Sequence, residues 1–571
     1  MLDVAIVGGD VIDGSGGPRV RADVGIAGGR VVAVGDLDER ARRTIDATGR
    51  AVCPGFIDVH THYDAQVLWD GDLTPSPLHG VTTALGGNCG FTLAPMTDEA
   101  LGYVAAMLAR VEGMSLSTLD AAVDVSWRTF GEYLDRLEGR VALNVGFLVG
   151  HSTVRRLVLG EDWRRAATAG EIDAMRRLVA DSLAAGALGF SSSASDTHND
   201  ASGDPVPSRF ATDDELLRLC AELQGHPGTW LEFIPWAFGA FPEQRIRLMA
   251  QMSAASGGRP LNWNLLVVNP TIGDDIVENR LSASDAARTR GASVFALTMP
   301  LANTIRINLE TGFTFDVEAS WREVLARPRA EKLHALADPE VRRRLAADAH
   351  GSLATGYQVD RLCFDAVQAP DYRDLTGRVV AEAARDRRVD PFDLMFDVAL
   401  AEDLATVFRT PRRGDDPESW RRRVELWRDP RTIVGGSDAG AHLDMIDTFG
   451  FYTDFVGPTV RERQLLPLEE AVRLVTSDAA RAFGLRGRGR LAPGYAADVV
   501  IFDPDRVGST ELELRRDLPA GGMRLYSEGV GIDAVLVNGA VVAAQGELTG
   551  ARPGTVLRSG RDTETVVAPA R

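Results

Sequence analysis

Lysine is almost missing from this chain. Lys332 is the only one among 571 residues, so the positive charge rests on arginine. It lies in ARPRAEKLHALADPEVRRRL, which reads as a solvated helix and leaves no lysine for a catalytic or bridging role elsewhere. Cysteine is scarce as well. Cys53, Cys89, Cys220 and Cys363 are scattered without CxxC spacing, which excludes a disulfide framework and fits reduced thiols. Basic residues are outnumbered 62 to 81, giving a net charge of −19. That balance argues against nucleic acid or an anionic membrane as a partner. No apolar run is long enough to span a bilayer. The start, MLDVAIVGGDVIDG, lacks the basic region and cleavage site of a signal peptide and reads as a strand. The expectation is a cytoplasmic protein acting on a small molecule, with a homo-oligomer left open.

What is present begins with PGFIDVHTHYDAQ, from Pro54 to Gln66. An apolar run (Phe56, Ile57, Val59) ends in His60-Thr61-His62. Residues two apart on a strand face the same way, so both imidazoles can meet one metal ion. A matching half-site lies far along the chain. Thr432–Gly436 is another apolar run, followed by Ser437 and Asp438. An Asp at the end of a late strand can ligate a metal and accept a proton from its bound water. Together the two runs suggest the first and last strands of a closed barrel, where functional residues gather at the strands' C-terminal ends. A carboxylated lysine bridges two metals in many enzymes with such an HxH start, and Lys332 sits in the wrong place for that.

Between these ends, short apolar runs alternate with helical patterns. The strand candidates are Cys53–His60, Val81–Gly86, Val141–Gly150, Leu188–Ser192, Thr229–Ile234, Pro260–Val268, Ala292–Met299 and Thr432–Gly436. Glu171–Ala185 shows the helical type: Ile172, Met175, Val179 and Leu183 share a face, Thr168 and Glu171 form a capping box, and Gly186 ends it. Eight such βα units predict an α/β fold, a (β/α)8 TIM-type barrel. Residues 1–52 and 485–571 read instead as short strands with glycine turns. Neither end can close a core alone, so they are expected to form one small β-sandwich beside a barrel spanning 53–484. The tail after about 551 is expected to wrap or to be mobile. The stretch 300–430 is too long for a βα connection and reads as a mostly helical insertion over the barrel mouth.

Several motifs in order resemble the amidohydrolase superfamily, specifically its N-acyl-D-amino-acid deacylase branch. They are HTHYDA, GGNCGFTLAP (Gly86–Pro95), GHSTVR (Gly150–Arg155), GALGFSSS (Gly186–Ser193), GGSDAG (Gly435–Gly440), LEEAVRLVTSDAARAFGL (Leu468–Leu485), GRLAPGYAADVVIFDP (Gly489–Pro504) and VLVNGAVVAAQGELTGARPG (Val535–Gly554). The resemblance implies a metal-dependent hydrolase in which His60, His62 and Asp438 hold the metal and general-base positions. It implies also that Cys89 is a thiolate ligand in place of the modified lysine.

The middle of the chain departs from that pattern. Where the deacylases place metal-binding histidines on the fifth and sixth strands, this chain has TWLEFIP and NWNLLVV. Glu232 stands near the first position and Asn264 or Leu265 at the second, with Val267 near the position of a substrate-binding lysine. Glu232 reads either as a ligand or acid/base group or as a barrel-mouth carboxylate paired with arginine. The loop after Asp438, which carries a substrate-binding Arg in the deacylases, offers Asp444 and Asp447. Losing two cationic anchors makes standard N-acyl-D-amino acids doubtful substrates. Trp230, Phe233, Trp236, Trp263 and Phe295 would make the pocket apolar, although each is individually explained by packing. His151 and His442 lie in loops predicted to reach the mouth, and with Asn264 they are candidates for oxyanion or substrate contacts.

The leading expectation is therefore a hydrolase of amide-type C–N bonds using a divalent metal, zinc by preference, in a mononuclear or thiolate-bridged binuclear centre. Its substrate would be an N-acyl or neutral amide compound. Alternatives are opening of a cyclic amide or imide, and a non-hydrolytic member retaining the scaffold.

Overall fold

The computed structural model describes residues 1–236, 239–302, 304–310, 315, 318–351 and 359–566. Eight parallel strands follow one another in chain order. They are β1 (Phe56–Asp58), β2 (Val81–Gly86), β3 (Asn144–Phe147, resuming as Val149–Gly150), β4 (Gly189–Ser193), β5 (Trp230–Ile234), β6 (Pro260–Leu266), β7 (Ser293–Thr298) and β8 (Thr432–Val434). Each pairs in parallel with the next, and the break at Leu148 within β3 divides the series into two sheets. Their apolar character follows from burial on both faces; every residue of β2, for example, is buried.

The first and last strands meet just beyond their ends. Thr61 and Ala439 form a parallel bridge. The Asp438 N–H donates to the His60 carbonyl at 3.2 Å, and the His62 N–H donates to the Ala439 carbonyl at 2.8 Å. Ser437 Oγ donates to Asp58 Oδ2 across the same seam at 2.5 Å. Helices such as Ala169–Ala185 pack between strands. It has the expected capping box from Thr168 and Glu171, and left-handed Gly186 at its end.

The two chain ends share one nine-stranded sheet, in which Val499–Phe502 runs antiparallel to Ala51–Pro54. The expected strand Cys53–His60 is consequently divided. Ala51–Pro54 belongs to the terminal sheet and Phe56–Asp58 to the parallel series. Gly55 lies between them, where an added Cβ would fall 2.1 Å from Thr82 Oγ1. The described part of the tail, to residue 566, is fastened: the Gly554 N–H donates to the Val141 carbonyl, Val556 bridges Val145, and Thr563 Oγ1 donates to the Gly228 carbonyl.

Within 300–430 the described residues form helices Ala319–Leu325, Arg329–Ala337, Pro339–Gly351, Val380–Arg387 and Pro391–Ala401. A small antiparallel sheet of Arg306–Ile307, Val407–Arg409 and Cys363–Ala366 joins them. These elements bury a separate core around Trp321, Phe364, Phe396 and Phe408. Helix Pro417–Arg428 belongs instead to the main core, through Trp420, Leu426 and Trp427. Lys332 corrects the solvated-helix expectation. It is buried and donates to the Glu310 carbonyl, because it lies on the face its helix buries with Ala335 and Leu336. Among the described residues no helix is long and apolar enough to cross a membrane.

Candidate metal centre

Thr61 is bonded on both sides, its N–H donating to the Leu85 carbonyl at 2.9 Å and its backbone bridging Ala439. This continues the extended chain beyond β1 and turns His60 and His62 to the same side. Asp438 Oδ1 lies 3.0 Å from His60 Nε2 and 3.6 Å from His62 Nε2. Cys89 Sγ lies 3.7 and 3.6 Å from the same two atoms. Two imidazole nitrogens and the Cys89 thiol thus lie within 4.8 Å of one another, with the Asp438 carboxylate beside the two histidines. Ligands on a common tetrahedral zinc are about 3.3–3.6 Å apart, given Zn–N and Zn–S bonds of about 2.0–2.3 Å. Both the spacing and the donor chemistry fit zinc.

Cys89 reaches this point from the GGNCG turn after β2, with a left-handed φ of 59°. Each neighbour in that turn is pinned. The Gly87 N–H donates to Asp64 Oδ2 at 3.0 Å, and Asn88 Nδ2 donates to the Thr61 and Leu85 carbonyls at 3.0 and 3.1 Å. The Gly90 N–H donates to Ser191 Oγ at 3.0 Å, and the Cys89 N–H donates to Glu232 Oε2 at 2.8 Å. Asp438 and His442 also have positive φ, 56° and 47°. Three non-glycine residues in this rare region mark a place where surrounding contacts impose the backbone.

The centre is rich in acid. Burial pushes the Cys89 thiol well up, and the charges of Glu232, Glu112, Asp438 and Asp64 push it further. Burial likewise raises Glu232 to about 8, against the Cys89 N–H that favours its charged form. Burial alone would raise Asp438, yet the bonds from His60 and His62 hold it well below the usual carboxylate range. Burial would lower His62, but the facing charges of Glu112 and Asp438 lift it to about 9. Ionising such a buried acidic cluster calls for a cation beside it. Its opening is at Asp438, whose side chain is 30 % exposed against 3 % for each histidine.

The remaining predicted residues divide. Glu232 is spent on the Cys89 N–H through Oε2 and receives Asn264 Nδ2 on Oε1. Asn264 Oδ1 also accepts from Asn262 Nδ2 at 3.2 Å, which makes Asn264 a support for Glu232. His151 is a correction. It heads a helix, with Nδ1 2.8 Å from Ser192 Oγ and Nε2 donating to Glu215 Oε1 at 3.1 Å, so both ring nitrogens are used away from the centre. His442 lies beside Glu112, its Nε2 3.9 Å from Glu112 Oε2. Asp444 accepts from Asn308 Nδ2 at 2.6 Å. Arg306 donates to Asp365 at 2.7 Å and lies 3.9 Å from Asp447. Trp230 and Phe295 pack on Phe483 in the core, and Trp263 packs on Phe241.

Two residues escaped the sequence reading. Glu112 is buried, with Oε1 3.5 Å from His62 Nδ1. Its one signal was a carboxylate at the end of a helix, where the helix dipole disfavours it. His198, after β4, packs its ring 5.2 Å from Phe91 and has Nδ1 2.8 Å from Ser193 Oγ. Burial first, then the charges of His442 and His62, hold it down to about 3, so it is neutral.

A profile of the Amidohydrolase family matches residues 43–543. The chain belongs to the amidohydrolase family. It is 30 % identical to a D-aminoacylase of Alcaligenes xylosoxydans xylosoxydans over 570 residues, 97 % of each chain. Among solved amidohydrolase structures it resembles the N-acyl-D-glutamate deacylase of Bordetella bronchiseptica, solved with zinc and a phosphonate inhibitor. That match has a TM-score of 0.67 and 27 % identity, covering 98 % of this chain and 100 % of the other. A D-aminoacylase described as having a binuclear metal centre matches with the same TM-score and coverage at 28 % identity. The resemblance to the N-acyl-D-amino-acid deacylase branch therefore extends over nearly the whole chain.

Proposed function

We propose that this amidohydrolase cleaves an amide-type C–N bond at a single divalent metal, zinc by preference, held by His60, His62 and Cys89 with Asp438 beside them. The observation that carries the reading is the cluster of His60, His62 and Cys89 with Asp438 beside the histidines, while Glu232 accepts from the Cys89 N–H and from Asn264. We read the eight parallel strands as a closed (β/α)8 barrel, with the shared terminal sheet as part of a flanking β-sandwich.

A zinc ion in this place would supply an electrophile and a water acidic enough to lose its proton near neutral pH. Asp438 is the least buried carboxylate of the group, so it would accept that proton and pass it to the leaving nitrogen. We place His442 at the mouth, to meet charge developing on the carbonyl oxygen. The buried wall of Glu232 and Glu112 excludes water from the inner side of the centre.

The substrate is an N-acyl or neutral amide compound. The names of the relatives, D-aminoacylase and N-acyl-D-glutamate deacylase, point to N-acyl compounds. A free α-carboxylate is disfavoured here, because the resemblance puts Val267, Asp444 and Asp447 near the cationic anchors of the deacylases, and Arg306 already bonds to Asp365 through Nε. Side-by-side kinetics on an N-acyl-D-amino acid and its carboxamide test this. The carboxamide is expected to have the higher kcat/KM; a preference for the free acid refutes the substrate assignment. Hydrolysis unaffected by chelation and restored metal would refute the metal assignment.

A further inference from the structure

We infer that Glu112 is a positioning residue of the metal centre, orienting His62 from behind and fastening the His442 loop to it. This rests on the reading of His62 as a ligand. Helix Asp98–Val111 delivers the carboxylate. Thr97 caps its start, and Ala100, Val104, Met107, Leu108 and Val111 bury one face. Glu112 follows as its last hydrogen-bonded residue, with its N–H donating to the Leu108 carbonyl at 2.9 Å.

The chain then turns at Gly113, whose φ is +62° and where an added Cβ would lie 3.3 Å from His442 Cα and 3.4 Å from Asp444 Oδ1. Glycine takes that backbone without strain and leaves room for that approach. The approach lets the Glu112 carbonyl accept the His442 N–H. The carboxylate divides its oxygens in the same way: Oε1 is 3.5 Å from His62 Nδ1, and Oε2 is 3.9 Å from His442 Nε2.

Packing does not explain a carboxylate here. The Glu112 side chain is 2 % exposed, sits at the negative end of a helix and has no arginine within ion-pair distance among the described residues. Burial and the helix dipole both disfavour its charge. What offsets them is the His62 imidazole. A metal-bound imidazole is neutral and carries one ring proton, and a carboxylate facing Nδ1 keeps it there, leaving the Nε2 lone pair for the metal. His62 Nε2 is the atom that faces Cys89 and Asp438. His60 has no such support, since its buried Nδ1 has no hydrogen-bond partner. The two histidines of the HxH are therefore unequal, and Glu112 makes them so.

The test uses the full chain and two readouts besides turnover: zinc affinity by chelator competition, and the visible spectrum of the cobalt-substituted protein. Glu112→Ala is expected to weaken zinc binding about 10–100-fold, the usual effect of losing such a partner, and to shift the cobalt bands. Glu112→Gln, which can still accept from Nδ1, should fall between the two. Wild-type zinc affinity and an unchanged cobalt spectrum in Glu112→Ala would overturn the inference. Should Glu112→Ala not fold, Glu112→Gln decides. Weaker zinc binding with the zinc-free melting temperature preserved supports the role, and unchanged binding refutes it. If the wild type binds no zinc, or His62→Ala binds it as well as the wild type, the metal reading itself falls and this inference with it.

Discussion

The Cys89 N–H donates to Glu232 Oε2 at 2.8 Å, joining residues 143 positions apart. This bond gives Glu232 a task where the deacylase pattern has a metal-binding histidine. It holds Cys89 in its left-handed conformation, and with Asn264 on the other oxygen each carboxylate oxygen already accepts one hydrogen bond.

Metal stoichiometry follows from that arrangement. The purified protein is expected to carry one zinc per chain. Glu232→Ala should keep that ratio while losing about 1–3 kcal/mol of stability, the cost of an unpaired buried N–H. Cys89→Ser should weaken zinc binding, since a hard hydroxyl replaces a soft thiolate. Elemental analysis and thermal melts check this. Two zinc ions in the wild type and one in Glu232→Ala would make Glu232 a ligand.

Asp438→Asn removes the proposed base and leaves His60, His62 and Cys89 in place. We expect kcat/KM to fall about 10²–10⁴-fold, the usual worth of general base catalysis, with zinc retained. Loss of zinc in step with activity would show that Asp438 serves chiefly as a ligand.

A pH effect is expected far from the centre, at His79. Its ring lies between Thr453 Oγ1 at 2.8 Å and the Ser527 carbonyl at 3.0 Å. Burial drives it from the ordinary 6.5 down to about 4, although the Ser527 carbonyl and the Glu528 charge pull the other way. As pH falls through that window, the unfolded chain takes up a proton that the folded chain refuses. Stability is therefore full above about pH 6.5 and declines toward pH 4, by about 3 kcal/mol from this group. Denaturant melts at pH 7 and 4.5 should show a smaller decline in His79→Gln than in the wild type. Equal declines would remove His79 as a cause.

The ligand strand ends were legible because they obey local rules. Alternation along an extended segment puts His60 and His62 on one side, and apolar runs before HTH and GSD mark strands buried on both faces. The antiparallel terminal strands were likewise readable from their glycine turns. The division at Gly55 was not, because nothing local separates two buried apolar runs that join different sheets.

The sequence by itself determined the parallel α/β alternation, the HxH and Asp438 as candidate ligands, with Cys89 added by its resemblance to the deacylases, and the absence of any lysine fit to bridge metals. Tertiary structure alone decided what surrounds them. It drew His151 into a bond with Glu215 and Glu232 into one with Cys89, and it placed Glu112 behind His62. It also buried Lys332, the one lysine, in the insertion. The physical reason is range. A ligand's direction is fixed by the strand that carries it, within a few residues. The partner of a buried carboxylate depends on which loops pack together, and periodicity along the chain does not encode that.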